Sequence, residues 1–148
     1  MATQGDDIDR IMAVMPAAFD PAFGEAWTRR QVEDALLIGN CHYGLAFAAE
    51  HCCGFFLSRA VLGEEELLLL GVCPEYRRRG YGKLLLQRFC DQARGRGARR
   101  LLLEVRRGNP AEQLYRAAGF DQVGMRPNYY RTPNGNRLDA LTFAWEFQ

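Results

Sequence analysis

Two polar side chains in the second half of the sequence have the chemistry needed for proton transfer. Glu104 directly follows the apolar run 101–103. Burying a charge there costs free energy unless the charge is paired or takes part in the chemistry of a site. Tyr115 follows on a short predicted helix. A carboxylate can accept a proton through water and a phenol can donate one, and acyl transfer from a thioester to an amine needs both steps. Each residue also has a purely structural alternative. Glu104 could form a salt bridge with Arg106 or Arg100, and Tyr115 could simply cover the core with its hydroxyl in water.

An arginine- and glycine-rich segment precedes these residues and could bind an anion. Residues 73–83 read Cys-Pro-Glu-Tyr-Arg-Arg-Arg-Gly-Tyr-Gly-Lys, between the apolar run 67–72 and a helical stretch that starts at Leu84. A pair of glycines that opens a helix lets backbone N–H groups point at one spot, where the helix N-terminus adds about half a positive charge. The alternative is an arginine-rich solvated turn.

Neither common phosphate-binding fingerprint matches this segment. A Walker loop requires Gly at position 77 and Ser or Thr at position 84, which are Arg77 and Leu84. A dinucleotide-binding loop requires Gly at position 85, which is Leu85. The segment therefore indicates an anion site of another kind, with no side chain for magnesium.

The composition limits the class of protein. The chain has 148 residues, of which 48% are hydrophobic, and a formal net charge of +1. These values predict one domain over residues 1–148 with its own core, and they disfavour nucleic acid as a direct partner. Residues 1–9 lack the pattern of a signal peptide, and no apolar run is long enough to span a membrane. We expect a soluble, cytoplasmic protein without membrane contact, as a monomer or weak dimer.

The five cysteines predict reduced thiols and no metal site. Cys41, Cys52, Cys53, Cys73 and Cys90 contain no Cys-x-x-Cys pair and leave one cysteine over. The two histidines stand beside cysteines, but the spacing does not fit a zinc site.

Apolar periodicity predicts the elements that would position these residues. Helices are predicted over 8–19 and 28–38, the second opened by Thr28 as N-cap, and an antiparallel meander over 42–49, 54–62 and 65–73. The four leucines 67–70 should bury both faces of the third strand. A helix after the glycines, a strand over 99–105, a helix over 110–118 and strands over 120–125 and 138–147 follow, with a polar loop over 127–137. This order predicts an α+β fold.

The motifs together resemble the GCN5-related N-acetyltransferases. Residues 77–82 fit the family's pyrophosphate loop, which reads Gln or Arg, two residues, Gly, one residue, Gly. Leu-Glu-Val-Arg at 103–106, Leu-Tyr at 114–115 with Gly-Phe at 119–120, and Arg-Pro-Asn-Tyr-Tyr at 126–130 with Asp-Ala at 139–140 are similar to the RimI-like branch. Members of that branch acetylate the N-terminal alanine of a small-subunit ribosomal protein.

The resemblance implies a three-layer fold with a mixed, mostly antiparallel sheet, and roles for particular residues. Glu104 would be the general base and Tyr115 the general acid, with acetyl-CoA as co-substrate and no metal. Trp27, Tyr129 and Tyr130 would shape the slot for the acceptor peptide. The cofactor would be held by backbone groups of Leu70, Gly71 and Val72 along its pantetheine arm, and by Arg78, Arg79, Gly80, Tyr81, Gly82 and Lys83 at its pyrophosphate.

Three features depart from the family pattern. The Asn that usually contacts the cofactor lies seven residues before the acid, whereas Asn109 lies six before Tyr115 and Gly108 holds the expected place. The first strand of the sheet is expected to be short or missing. Leu138 stands where relatives tend to carry Glu. Transfer to a small amine or a lysine side chain, and a noncatalytic acetyl-CoA-binding module, remain as alternatives to the peptide reaction.

Overall fold

A computed structural model describes residues 3–148, so the first two residues of the predicted domain lie outside the described part. The helices are α1 (Gln4–Ala18), α2 (Arg29–Leu37), α3 (Tyr81–Gly95) and α4 (Ala111–Ala117). The strands are β1 (Cys41–Ala48), β2 (His51–Val61), β3 (Glu64–Val72), β4 (Arg100–Arg106), β5 (Asp121–Arg131) and β6 (Arg137–Glu146). Short 3₁₀ turns span Pro21–Phe23 and Pro74–Tyr76.

The six strands form one mixed sheet in the order β1-β2-β3-β4-β6-β5. Only β3 and β4 pair in parallel, and the other neighbours are antiparallel. The predicted meander and α+β class are confirmed. In the described residues no strand precedes α1, which agrees with the expectation of a short or missing first strand.

Helices cover both faces of the sheet. On one face, α1 and α2 pack over Phe55, Leu57 and Leu69. On the other, residues of α3 and α4 pack with Phe56 and Phe143. Phe55 and Phe56 are adjacent in β2 and both fully buried, because successive strand residues point to opposite faces. This gives the three layers that the resemblance implies.

Capping residues and one buried ion pair fix the helices. Thr28 begins α2 as predicted, and its side chain forms a capping box with Gln31. Glu65 of β3 is only 1% exposed and accepts hydrogen bonds of 2.6 and 2.9 Å from Arg96, which follows α3. A bidentate pair at this depth fixes the end of α3 over the start of β3. The N-terminus of α3 therefore lies at the opposite end of that strand.

The predicted polar loop over 127–137 is largely wrong, because β5 continues to Arg131 and only residues 132–136 turn. The strand contains a bulge at Pro127. The pairing shifts from Arg126 opposite Ala140 to Tyr130 opposite Leu138, and Asn128 adopts a φ of 55°. A proline lacks the N–H needed for a regular ladder, so a bulge is the place where a strand tolerates it.

Candidate active site

The parallel pair of strands at the middle of the sheet separates halfway along its length. Residues 64–67 of β3 pair with residues 100–103 of β4, and in the described structure this ladder ends there. β3 bulges at this point, since Leu57 of β2 pairs with Leu69 while Ser58 pairs with Leu67. Beyond the bulge β3 pairs only with β2, and β4 only with β6. Backbone N–H and C=O groups along the gap therefore have no partner in the neighbouring strand and can form hydrogen bonds with a bound molecule.

The anion-binding segment predicted from the sequence follows β3 at the open end of this gap. Arg77 donates hydrogen bonds to the carbonyl oxygens of Val72 (3.1 Å) and Ala18 (2.7 Å), so its side chain anchors the segment to β3 and α1. Gly80 has a φ of 90° and precedes α3 without a side-chain cap. The N–H groups of the first helical turn are thus open to an outside acceptor.

Glu104 lies on β4 at the edge of the gap. Its side chain is 20% exposed, and its Oε1 is 3.2 Å from a guanidinium nitrogen of Arg126 on β5. The predicted structural partners were wrong: Arg106 instead pairs with Glu25, and Arg100 lies near Glu64 and Glu146. Glu104 is therefore partly exposed and paired with Arg126.

Tyr115 projects from α4 into the core on the other face of the sheet. Its ring packs against Phe120 and Phe143, with centroids 6.2 and 6.4 Å away. Burial, followed by the charge of Glu25 and the neighbouring Tyr130, raises the pKa of the Tyr115 phenol well above its ordinary value. The phenol is protonated at neutral pH, as an ordinary tyrosine is, and can act as a proton or hydrogen-bond donor.

The two tyrosines predicted to line an acceptor slot lie at the β5 bulge. Tyr129 is 51% exposed, and its ring meets that of Tyr130 at 5.4 Å, edge to face. Burial raises the pKa of Tyr130 to about 12, with further contributions from the charges of Glu25 and Glu104. Tyr130 thus lies near both Glu104 and Tyr115. Trp27 is half-buried against the α1 and α2 side of the core.

Sequence reasoning missed a clamp between β4 and the connection from α1 to α2. The Arg106 guanidinium lies 3.6 Å from the centre of the Phe23 ring, and its Nε is 3.5 Å from Glu25. Burial raises the pKa of Glu25, and Arg106 opposes that change. A buried arginine at the end of β4 signals that some partner exists, but no pattern in the sequence identifies Glu25.

Asn109 stands at the start of the helix that carries Tyr115. Its Oδ1 accepts a hydrogen bond of 2.9 Å from the N–H of Ala111, the first residue of α4. Gly108 adopts a φ of 87°, and its N–H donates to Glu112 at 2.8 Å. The contact of Asn109 with a cofactor stays a prediction.

Two surface cavities lie away from this site. A cavity of about 270 Å³ is bounded by residues around Trp145 and Arg100, and one of about 140 Å³ by residues around Arg59 and Glu64. Within residues 3–148 there is no cluster of three potential metal ligands. No helix in that range is long and apolar enough to cross a membrane. Of the predicted residues, Glu104 lies on β4 and residues 70–72 lie on β3, on the two edges of the gap.

The three-layer fold agrees with the resemblance to the acetyl-transferring class of protein that the motifs indicated. The model of the acetyltransferase (GNAT) family matches residues 9–120, and the chain belongs to this family. The resemblance in the motifs is thereby confirmed.

Relatives within the family support the same assignment. A [ribosomal protein bS18]-alanine N-acetyltransferase of Haemophilus influenzae is 41% identical over 91 residues, which cover 62% of each chain. The match thus spans about three fifths of that relative's length. A Bacillus subtilis protein that carries the same name provisionally is 32% identical over 92% of this chain and 87% of its own. The crystal structure of the Escherichia coli ribosomal-protein-S18-alanine N-acetyltransferase has a TM-score of 0.85 at 29% identity, covering 98% of this chain and 90% of that one.

Proposed function

We propose that this protein transfers the acetyl group of acetyl-CoA directly to the α-amino group of a protein N-terminus. The proposed acceptor is the N-terminal alanine of ribosomal protein bS18, the substrate in the names of the similar proteins. The observation that supports this best is the gap between β3 and β4, with Glu104 on one edge and the N-terminus of α3 at its open end. We expect the protein to act in the cytoplasm, where ribosomes assemble.

The gap and the helix N-terminus fit the two ends of acetyl-CoA. The amide groups of the pantetheine arm would complete the open backbone ladder of residues 70–72, in the way that an added strand does. The carbonyl oxygen of Val72 is bonded to Arg77, and the backbone groups of Gly71 face Phe55 of β2. The Val72 N–H and the groups of Leu70 are therefore the ones we assign to the arm, and the predicted backbone contact of Gly71 is dropped. Backbone donors and side chains of residues 78–83 would hold the pyrophosphate, each charge-assisted bond contributing about 1.5 to 3 kcal/mol.

The reaction requires one proton acceptor and one proton donor. The acceptor amine attacks the thioester carbonyl carbon, the C–S bond breaks, and the amine loses a proton. Glu104 would accept that proton, directly or through water. The departing thiolate would accept a hydrogen bond or the proton from the Tyr115 phenol, and the raised pKa of the buried phenol favours the hydrogen bond over full proton transfer.

A covalent route through a cysteine is disfavoured by the local environment. Cys73, which follows β3, is 5% exposed, and burial raises the pKa of its thiol. Burial also raises the pKa of Cys90, to about 11. Since the thiolate is the nucleophilic form, these cysteines are poor nucleophiles at neutral pH. Direct attack by the amine needs neither of them.

The acceptor site favours an amine that loses its proton easily. An α-amino group has a pKa of about 8 and a lysine amine one of about 10.4, so deprotonating lysine near pH 7 costs roughly 3 kcal/mol more. Glu104 is the one base assigned to the site. The exposed Tyr129 and half-buried Tyr130 and Trp27 would form the walls of a slot for the first residues of a peptide.

Thiol release from acetyl-CoA with a panel of acceptors tests this function. The panel contains a peptide copied from the start of bS18, its N-terminally blocked twin, a lysine peptide with a blocked N-terminus, and polyamines. We expect release only with the free alanine terminus. Release only with the lysine peptide or with polyamines would show that the acceptor is another amine and not a peptide N-terminus. Tight coenzyme A binding without release would indicate a noncatalytic module.

A further inference from the structure

The connection between α1 and α2 brings a second carboxylate to the face of the sheet on which Glu104 lies. Leu103 and Val105 of β4 are buried in the core beneath α3 and α4. Because successive strand residues point to opposite faces, Glu104 and Arg106 both point to the face covered by α1 and α2. Residues two apart on a strand are separated by about 7 Å. Glu25 lies 3.5 Å from Arg106 Nε, so its carboxylate reaches the same end of β4 as Glu104.

The ion pair between Glu25 and Arg106 is only partly formed. The Arg106 side chain is 9% exposed and its Nε is buried, yet within residues 3–148 this atom donates no hydrogen bond. Its guanidinium carbon lies 3.6 Å from the centre of the Phe23 ring, which fixes the group from one side. The two oxygens of a carboxylate can accept about four hydrogen bonds. Glu25, whose side chain is 16% exposed, therefore keeps the capacity to accept from another donor.

The buried tyrosines of the candidate site also lie near Glu25. After burial, the charge of Glu25 is the next contribution to the raised pKa of Tyr115 and of Tyr130. The charge of Glu104 contributes to the raised pKa of Tyr130 as well. Tyr130 thus lies within electrostatic range of both carboxylates, which agrees with their shared face of the sheet.

We propose that Glu25 is an acceptor-binding residue that holds the ammonium form of the incoming α-amino group beside Glu104. This inference rests on the proposed function, because it assigns a second carboxylate to the acceptor site of that reaction. An ammonium group carries three N–H donors, so it can donate to Glu25 and Glu104 at the same time. The ammonium then gives one proton to water, and the neutral amine attacks the thioester carbonyl carbon. Glu104 accepts the second proton as the amide forms.

The arginines beside the two carboxylates keep the loss of the first proton possible. Glu25 is paired with Arg106 and Glu104 with Arg126, so two guanidinium groups balance the two carboxylates. The acceptor is therefore held by local hydrogen bonds and not by a large excess of negative charge, which would raise the pKa of its amine. Glu25 thus contributes to binding of the acceptor and not to the chemical step.

Binding of two matched peptides tests this role without turnover. One peptide begins with alanine and has a free amino group, and the other begins with a propionyl group, which has the shape of alanine without its amino group. Each is titrated into the coenzyme A complex, from which no acetyl group can be transferred. Wild type should bind the free amine more tightly. Glu25→Gln should reduce this preference about tenfold, as expected for losing one hydrogen bond between charged groups.

Further variants separate the charge of Glu25 from its contact with Arg106. Glu25→Asp keeps the charge and should retain more of the preference than Glu25→Gln. Phe23→Leu loosens the contact around Arg106 but leaves the carboxylate in place, so it should keep the wild-type preference. Glu33→Gln removes a charge from the exposed surface of α2 and should keep it too. Urea unfolding of each variant shows that the comparison is made between folded proteins.

Steady-state kinetics with the alanine peptide gives a second readout. Glu25→Gln should raise KM for the peptide about tenfold, without lowering kcat and without changing KM for acetyl-CoA. An amine preference that is equal in wild type and Glu25→Gln, or that falls to the same extent in Phe23→Leu, would overturn the role of Glu25. Wild-type protein that prefers the free amine in binding but transfers no acetyl group to it would instead overturn the proposed function.

Discussion

At the residue scale, the account depends most on the carboxylate at the edge of the gap. Glu104→Gln should lower kcat/KM for the acceptor about 10²- to 10⁴-fold at neutral pH, the usual contribution of a general base. Coenzyme A affinity should change little, because the cofactor is assigned to other groups. Glu33→Gln, on the exposed surface of α2, is the matched control and should retain wild-type activity. Full activity of Glu104→Gln would assign the base elsewhere.

The phenol of Tyr115 is expected to act on the departing thiolate. Tyr115→Phe should reduce kcat by about tenfold to a hundredfold, the factor expected for losing one hydrogen bond to a charged group. Single-turnover kinetics with saturating acetyl-CoA measures this step. Tyr43→Phe also removes a phenolic hydroxyl, one that donates to Asp7 at 2.6 Å outside the site. A Tyr115→Phe enzyme as fast as Tyr43→Phe would contradict the assignment.

The residues of the candidate site could be chosen from the sequence only in part. Glu104 stood out because it ends an apolar run, and Tyr115 because a phenol on the following short helix can donate a proton. Arg126, Glu25 and Phe23 could not be placed, because their contacts join elements that are far apart in the chain. Arg77 fitted the loop motif, yet its side chain anchors the loop to Val72 and Ala18. Motifs identify residue types, whereas register and bulges decide which side chains meet.

At the element scale, the segment before α3 should decide cofactor affinity. A Cβ at Gly82 would approach only Leu114, at 3.4 Å, so the fold should accept a larger residue there. Gly82→Val should nevertheless raise the dissociation constant of coenzyme A at least about tenfold, which corresponds to ~1.4 kcal/mol, because its branched side chain blocks the pyrophosphate. Isothermal titration calorimetry measures this constant.

The control for this substitution lies on the same helix. Gly95 ends α3, and a Cβ there would meet nothing within 4 Å. Gly95→Val should bind coenzyme A like the wild type. Equal affinities for both variants would show that the first turn of α3 is not the pyrophosphate site.

A tyrosine that joins β1 to α1 should make stability depend on alkaline pH. Burial, with the hydrogen bond and charge of Asp7, raises the pKa of Tyr43 from 10.0 to about 12. The folded protein thus holds this proton more tightly than the unfolded chain. The resulting stabilisation is complete below pH 10 and is lost as the pH rises through about 12. Urea unfolding at neutral pH and at about pH 11 should show a larger loss for wild type than for Tyr43→Phe; equal losses would contradict it.

The order of elements followed from the sequence, but the irregular parts of two strands did not. Apolar periodicity located the helices, and the capping box at Thr28 marked the start of α2. The leucine run 67–70 was expected to bury both faces by alternation. The run does bury both faces, but the bulge in β3 breaks the alternation and directs Leu67 and Leu70 to one face and Leu68 and Leu69 to the other. The same bulge opens the gap, and no residue type in the run marks its place.

At the scale of the whole molecule, the two cores should unfold together. They lie on opposite faces of one sheet and share β2 and β3. The two tryptophans report on them separately, since Trp27 packs against one core and Trp145 against the other. Single-tryptophan variants Trp27→Phe and Trp145→Phe should therefore give urea transitions that each coincide with far-UV circular dichroism. Separate midpoints within one variant would show two independently folding units.

The location of the transferred acetyl group tests the central claim most directly. The bS18 peptide and the enzyme are incubated with acetyl-CoA, and both are fragmented and analysed by mass spectrometry. The account predicts one acetyl group on the α-nitrogen of the peptide's first alanine, formed by wild type and largely lost with Glu104→Gln. An acetyl group on a lysine of the peptide, or one on an enzyme cysteine that is passed on to the acceptor, would contradict direct transfer to a protein N-terminus.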